Sequence, residues 1–198
     1  VLAALLHEAL PEEQVVAIHL DTGFMRLDES RKVKDALAKI GVDLTVVDAA
    51  EEFFNGRTMI DDEEVGPLKT TTIPEHKRKI IGDMFMKVAE SEVQKLGLDP
   101  ATVILAQGTL RPDLIESASS LASGSADVIK THHNDTQLVR QLRDRGLVIE
   151  PLKEYHKDEV RELGESLGLP HDLVWRHPFP GPGLAVRLIC ASEPYVTG

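Results

Sequence analysis

A single cysteine, Cys190, stands in 198 residues, so no internal disulfide can form. That usage suits a reducing compartment, and a cytoplasmic location is the expectation. Aromatic residues make up only 4% of the chain, and Trp175 with the five phenylalanines forms no stripe spaced for stacking nucleobases. No apolar run approaches membrane-spanning length, and no charged-then-apolar signal segment opens the chain. Basic residues are outnumbered, 22 Lys and Arg against 33 Asp and Glu, for a formal charge of −11. This balance argues against nonspecific binding to nucleic acid or an anionic membrane, while leaving room for a local cluster that holds a small anionic ligand. Absent too are a Gly-x-Gly-x-x-Gly run, a Walker-type Gly-Lys-Ser/Thr and a nucleophile elbow. With 42% hydrophobic residues the chain has enough apolar matter for one full core.

Proline and glycine, by contrast, are concentrated in His177-Pro178-Phe179-Pro180-Gly181-Pro182-Gly183-Leu184. Three prolines exclude a regular helix or central strand, and each restrains the residue before it. The result is a stiff connector, either a rigid interdomain hinge or a rigid surface loop. Upstream, Val1 to Leu6 begins inside a helical apolar pattern without a cap, as in a chain that has lost its beginning. Gln14 to Leu20 reads as a buried strand stopping at Asp21-Thr22-Gly23. A helix is expected over Asp28 to Ile40, closed by Gly41, then a strand over Leu44 to Asp48. Phe53 to Thr72 lacks periodicity and reads as a long loop. A helix follows from Pro74 to about Leu96. Further strands are expected at Val103 to Ala106, Ala126 to Ile129, Leu147 to Ile149 and Leu184 to Cys190, with a helix from His156 to Leu167 closed by Gly168. Strands alternating with helices imply an α/β fold, a mostly parallel sheet with helices on both faces. Ligands of such sheets bind beyond the carboxyl ends of the strands.

Three segments carry candidate chemistry. Lys77-Arg78-Lys79 lies early in a helix, where cations and free N–H groups can hold a phosphate; a solvated basic face fits the same spacing. Gln107 to Ser117 follows a strand, turns at Gly108 and restarts a helix at Pro112. Asp113 and Glu116 share a helix face there, suited to Mg²⁺ or a nucleotide hydroxyl, and equally to ordinary helix-start chemistry. Lys130-Thr131-His132-His133-Asn134-Asp135 gathers a cation and two imidazoles after a strand. Two histidines do not close a zinc site, so the choice lies between a phosphate-contacting loop and a polar surface loop. Cys190 has no activating neighbour and reads as a small buried hydrophobe.

Taken together, several runs resemble the ATP pyrophosphatase domain of the GMP synthases, in its adenine nucleotide alpha hydrolase-like fold. They are Ala17 to Arg26, Lys77 to Asp83, Leu105 to Ser117, Ile129 to Asp135, Val148 to Val160 and Val174 to Arg187, in the family's order and over nearly the whole chain. Arg111-Pro112-Asp113 and Asn134-Asp135 resemble the eukaryotic-type members. The resemblance implies that ATP adenylylates XMP with release of pyrophosphate, and that ammonia from a glutaminase domain or subunit then displaces AMP to give GMP. It implies that Ala17, His19, Asp21, Gly23 and Gly108 bind ATP, and that Arg78 and Arg187 meet XMP. It implies that Asp113 and Glu116 organise a lid or Mg²⁺, and that Lys130, His132 and His133 sit on the lid and face the phosphates. It implies a core over residues 1–176, then a connector and the start of a C-terminal dimerisation domain over 177–198, hence a homodimer. The family's Ser-Gly-Gly-Val-Asp-Ser loop is expected before the first helix, so the stretch alone is expected to be inactive, and the 53–72 loop is short for the eukaryotic type. The alternatives are another adenylating pyrophosphatase, such as an NAD synthetase-like enzyme, and a non-catalytic nucleotide-binding or assembly module.

Overall fold

The computed structural model describes residues 1–99, 102–113, 142–177, 179 and 181–186. Its elements are α1 (Leu2–Ala9), β1 (Ala17–Asp21), α2 (Glu29–Ala38), β2 (Leu44–Asp48), α3 (Ala50–Phe54), β3 (Thr58–Ile60), β4 (Glu63–Val65), α4 (Pro74–Lys95), β5 (Leu105–Ala106), β6 (Val148–Ile149), α5 (Lys157–Ser166) and α6 (His171–Val174). The fold is α/β, with helices and parallel strands, and the sheet is small: β1 pairs with β2, β3 with β4 and β5 with β6. The β5–β6 pair is parallel, Leu105 opposite Val148 and Ala106 opposite Ile149. Such a pair needs a crossover between its strands, which agrees with their wide separation in sequence. The expected strand at 126–129 lies outside the described residues.

The chain forms two compact units, each built from separate stretches. The first comprises Val1–His19, Arg31–Thr45 and Ala101–His177. Its core joins Ala4 of α1, Leu37 of α2, Val42 and Leu44 around β2, and Leu169 after α5. Val33 and Leu37, four apart, give α2 the apolar face that enters this core. His156 begins α5 through a capping box: its side chain accepts from the backbone of Glu159, whose carboxylate accepts from the His156 N–H at 2.6 Å.

The second unit comprises Leu20–Ser30, Val46–Pro100 and Pro178–Gly198. Phe53 and Ile80 are fully buried at its centre, with Ala49, Leu68, Ile81, Val88 and Ala185 around them. The Phe53 and Phe85 rings meet edge to face, centroids 5.0 Å apart. Burying a side chain such as Phe53 is worth about 1.5–3 kcal/mol.

Two expectations are corrected. The 53–72 stretch is not a plain loop: it holds the end of α3, the β3–β4 hairpin and a 3₁₀ turn at Leu68–Thr70. The hairpin turns through Asp61 and Asp62, both left-handed at φ 51 and 64, which matches strand twist but is written with aspartates instead of Asn-Gly. The expected strand from Leu184 is, over Gly183–Val186, a 3₁₀ turn. The Leu184 N–H bonds the Phe24 carbonyl at 2.7 Å and the Ala185 carbonyl accepts from Lys77, which takes these groups out of a ladder.

Candidate functional site

In the second unit, β1 ends in a loop that is folded by its own side chains. The Asp21 carboxylate accepts from the Gly23 N–H at 3.0 Å and from the Ser30 hydroxyl at 2.6 Å. The buried Thr22 hydroxyl oxygen accepts from the Phe24 N–H at 3.3 Å. Gly23, at φ +75, is required: a Cβ there would lie 2.9 Å from the Phe54 ring and 3.0 Å from Ala50 Cβ. Phe24 in turn packs edge to face on Phe54, centroids 4.8 Å apart. Asp21 therefore shapes the loop, with Gly23 exposed at its tip.

The same loop receives the proline-glycine connector. Gly183, at φ +67, passes so close to Phe24 that a Cβ would fall 2.4 Å from its carbonyl oxygen. The Arg26 guanidinium lies 4.4 Å from the Phe179 ring centroid and 3.7 Å from the buried Glu29 carboxylate. Lys77 Nζ, buried with its residue only 3% exposed, donates to the Ala185 carbonyl at 3.1 Å.

The basic triplet is thus not a uniform patch. Lys77 turns inward, Lys79 is exposed, and Arg78 makes an ion pair with Glu75 at 3.1 Å, both partners substantially exposed. A solvated (i, i+3) pair of this kind holds the guanidinium by only about 0–1 kcal/mol, so Arg78 can be redirected to an anion. The inward course of Lys77 had a signal in the sequence. Lys77, Ile81, Met84 and Val88 recur at helical spacing, which places the lysine on the apolar face of α4.

In the first unit, the carboxyl end of the β5–β6 pair is polar. The Gln107 N–H continues the ladder to the Ile149 carbonyl at 2.9 Å, while its side-chain oxygen is buried without a hydrogen-bond partner among the described residues. Among the described residues nothing lies within 4 Å of a would-be Cβ at Gly108. The Thr109 hydroxyl donates to Glu150 at 2.7 Å, and the same carboxylate oxygen accepts from Arg143 at 3.1 Å. Residues 111–113 are helical, and the Leu110 N–H bonds the Asp113 carboxylate at 2.9 Å, a helix-start contact. The orphan Gln107 oxygen and the Glu150 hub, which lies 41 residues from its Thr109 partner, had no local sequence signal.

Ala17 and His19 lie on β1. Ala17 opens that strand and lines a hollow of about 250 Å³ with His7, Glu12, Val42, Asp43 and Thr45. Glu116, Lys130, His132, His133 and Arg187 lie outside the described residues. Among the described residues no three acidic, histidine or cysteine side chains converge on a point, so they do not by themselves build a Mg²⁺ site. Among them, too, no helix is long and apolar enough to cross a membrane.

On the first unit's surface, Glu165 gathers a second cluster. It accepts from the Trp175 indole N–H at 2.9 Å and bonds the His171 ring. The imidazole stacks on the indole with centroids 5.8 Å apart, and the Arg161 guanidinium lies 5.0 Å from the indole centroid. The hydrogen bond from His171, with a smaller contribution from Trp175, holds the Glu165 carboxyl below the ordinary glutamate range.

No family model matches the chain. It is 64% identical over 196 residues to the GMP synthase (glutamine-hydrolyzing) of Dictyostelium discoideum, covering 99% of this chain and 27% of that protein. It is 54% identical over 193 residues to a probable GMP synthase (glutamine-hydrolyzing) of Caenorhabditis elegans, covering 98% of this chain and 26% of that protein. Identity to the Saccharomyces cerevisiae GMP synthase (glutamine-hydrolyzing) is 49% over 176 residues, 87% of this chain and 31% of that protein. The chain spans between a quarter and a third of the length of these relatives, and over nearly all of its own length it is similar to a segment of glutamine-hydrolyzing GMP synthases.

Proposed function

We propose that the chain is the ATP pyrophosphatase portion of a C–N bond-forming ligase that converts XMP to GMP. The observation that carries this reading is the 64% identity to a GMP synthase across 99% of the chain. In this reading ATP adenylylates the oxygen on the second carbon of the XMP purine and pyrophosphate leaves. Ammonia, delivered by a glutaminase domain or subunit, then adds to that carbon and AMP departs with the oxygen.

The residues read as nucleotide-binding are Asp21 and Gly23 in the β1 loop, Ala17 and His19 on β1, and Gly108 after β5. Internal hydrogen bonds hold the β1 loop in shape, which lowers the ordering cost of binding. Arg78, held in a solvent-exposed ion pair with Glu75, turns to the XMP phosphate, with Arg187 as a second cation. Asp113 and Glu116 are the candidate carboxylates for Mg²⁺, which would offset phosphate charge when bound. Lys130, His132 and His133 neutralise charge as pyrophosphate leaves. A homodimer and a cytoplasmic setting belong to the same reading.

The test is XMP-dependent formation of AMP from ATP by the full-length gene product with Mg²⁺ and ammonium. AMP and GMP appearing in equal amounts, and neither without XMP, is the expected result. AMP formation indifferent to XMP overturns the reading in favour of another adenylating enzyme. No AMP under any of these conditions favours a binding module.

A further inference from the structure

We propose that Lys77 is a positioning residue that clasps the proline-glycine connector to the β1 loop, and so sets the nucleotide affinity of that loop. The proposal rests on the nucleotide-binding reading of residues 21–26. Three segments remote in sequence meet at this point. The start of α4 brings Lys77, the β1 loop brings Phe24 and Arg26, and the connector brings Phe179 and the Gly183–Val186 turn. Their contacts are of different kinds: Lys77 Nζ to the Ala185 carbonyl at 3.1 Å, the Leu184 N–H to the Phe24 carbonyl at 2.7 Å, and Arg26 over the Phe179 ring at 4.4 Å. Gly183 permits the approach because any side chain would strike the Phe24 carbonyl.

The helix itself does not call for a lysine here. Position 77 shares its face with Ile81, Met84 and Val88, and a leucine would satisfy the helical pattern. A leucine would, however, take the Lys77 donor away from the buried Ala185 carbonyl, and losing a hydrogen bond to a buried acceptor is costly. The lysine stem supplies apolar packing while its amine reaches the carbonyl. Since the Ala185 turn is bonded to Phe24 through Leu184, the loop that begins at Asp21 is held from the connector side as well as by its internal bonds. Arg78 follows Lys77 in the same helical turn, so the clasp also fixes the start of the helix that carries this cation.

The experiment is Lys77→Met in the full-length gene product, which keeps the stem and removes the donor. Hydrogen exchange of peptides covering 21–26 and 183–186 is expected to quicken by about tenfold or more, with the middle of α4 around Ile80 to Val88 unchanged. Steady-state kinetics are expected to show KM for ATP raised by about tenfold and kcat held within about threefold. Gly183→Ala attacks the same junction from the connector side and should give the same split, which keeps the test open if Lys77→Met folds poorly. Equal quickening through α4 reduces Lys77 to helix support and overturns the proposal. Unchanged exchange in both peptides, or a fall in kcat at constant KM, overturns it too. If the unsubstituted protein shows no XMP-dependent turnover, the functional reading fails by itself, and the exchange measurement still decides whether the clasp exists.

Discussion

Gly183→Ala isolates the energy of one backbone contact. Alanine at φ +67 must hold a left-handed conformation, which costs an L-residue about 1–2 kcal/mol. Its Cβ would also sit 2.4 Å from the Phe24 carbonyl oxygen and 3.0 Å from the carbonyl carbon. Both are backbone atoms, so no side-chain rotation relieves them, and overpacking of this kind costs about 1–3 kcal/mol. Gly97→Ala supplies the control. Gly97 has φ +70 and, among the described residues, nothing within 4 Å of a would-be Cβ, so it is expected to carry the conformational cost alone. The entropy that alanine removes from the unfolded chain is common to both variants and cancels in the comparison. Native-state hydrogen exchange reads each site at the next amide, Leu184 N–H bonded to Phe24 and Leu98 N–H bonded to Val93. The excess loss of protection at Leu184 should be about 5- to 150-fold, the equivalent of about 1–3 kcal/mol. Equal losses at the two sites would refute the reasoning, because the connector would then not press on the loop.

Asp62→Gly should stabilise the β3–β4 hairpin by about 0.5–1 kcal/mol, since φ 64 suits glycine at the second position of such a turn. Slower exchange of the Thr58–Val65 ladder amides checks it, and faster exchange contradicts it. The Glu165 cluster should be acid-labile in a defined direction. A carboxyl held below its ordinary range contributes stability that is complete above the unfolded value, about 4.3, and is lost as pH falls through the lowered one. The Trp175 indole N–H resonance should therefore shift with a midpoint below that value, and a midpoint at or above it would contradict the hydrogen bond as cause.

Legibility in the sequence followed the range of the signal. The strand at Leu44–Asp48 and the start of α4 at Pro74 lie where apolar runs and proline placed them, because those signals are local. The helices closed at Gly41 and Gly168 as expected. The hairpin at Thr58–Val65 was hidden because its strands are three residues long and its turn is acidic. At Leu184 the apolar residues suggested a strand, but the deciding contacts, to Phe24 and Lys77, lie far away in sequence. The candidate site divides in the same way. Asp21 and Gly23 were legible at a strand end, and the structure adds how the loop closes on itself. The inward turn of Lys77 was written in the spacing of α4, yet its adjacency to two exposed or half-exposed cations masked it.

The two compact units draw on alternating stretches of chain, so the backbone passes from one to the other at residues 19/20, 30/31, 45/46, 100/101 and 177/178. Two of those passages fall inside β1 and β2 themselves. Neither unit is therefore a cassette. No single cut, exon-like excision or fusion junction yields one without severing the other, and a nick at any one passage leaves both units joined through the remaining four. Recombination among relatives of this chain is expected to fail when it trades one unit alone.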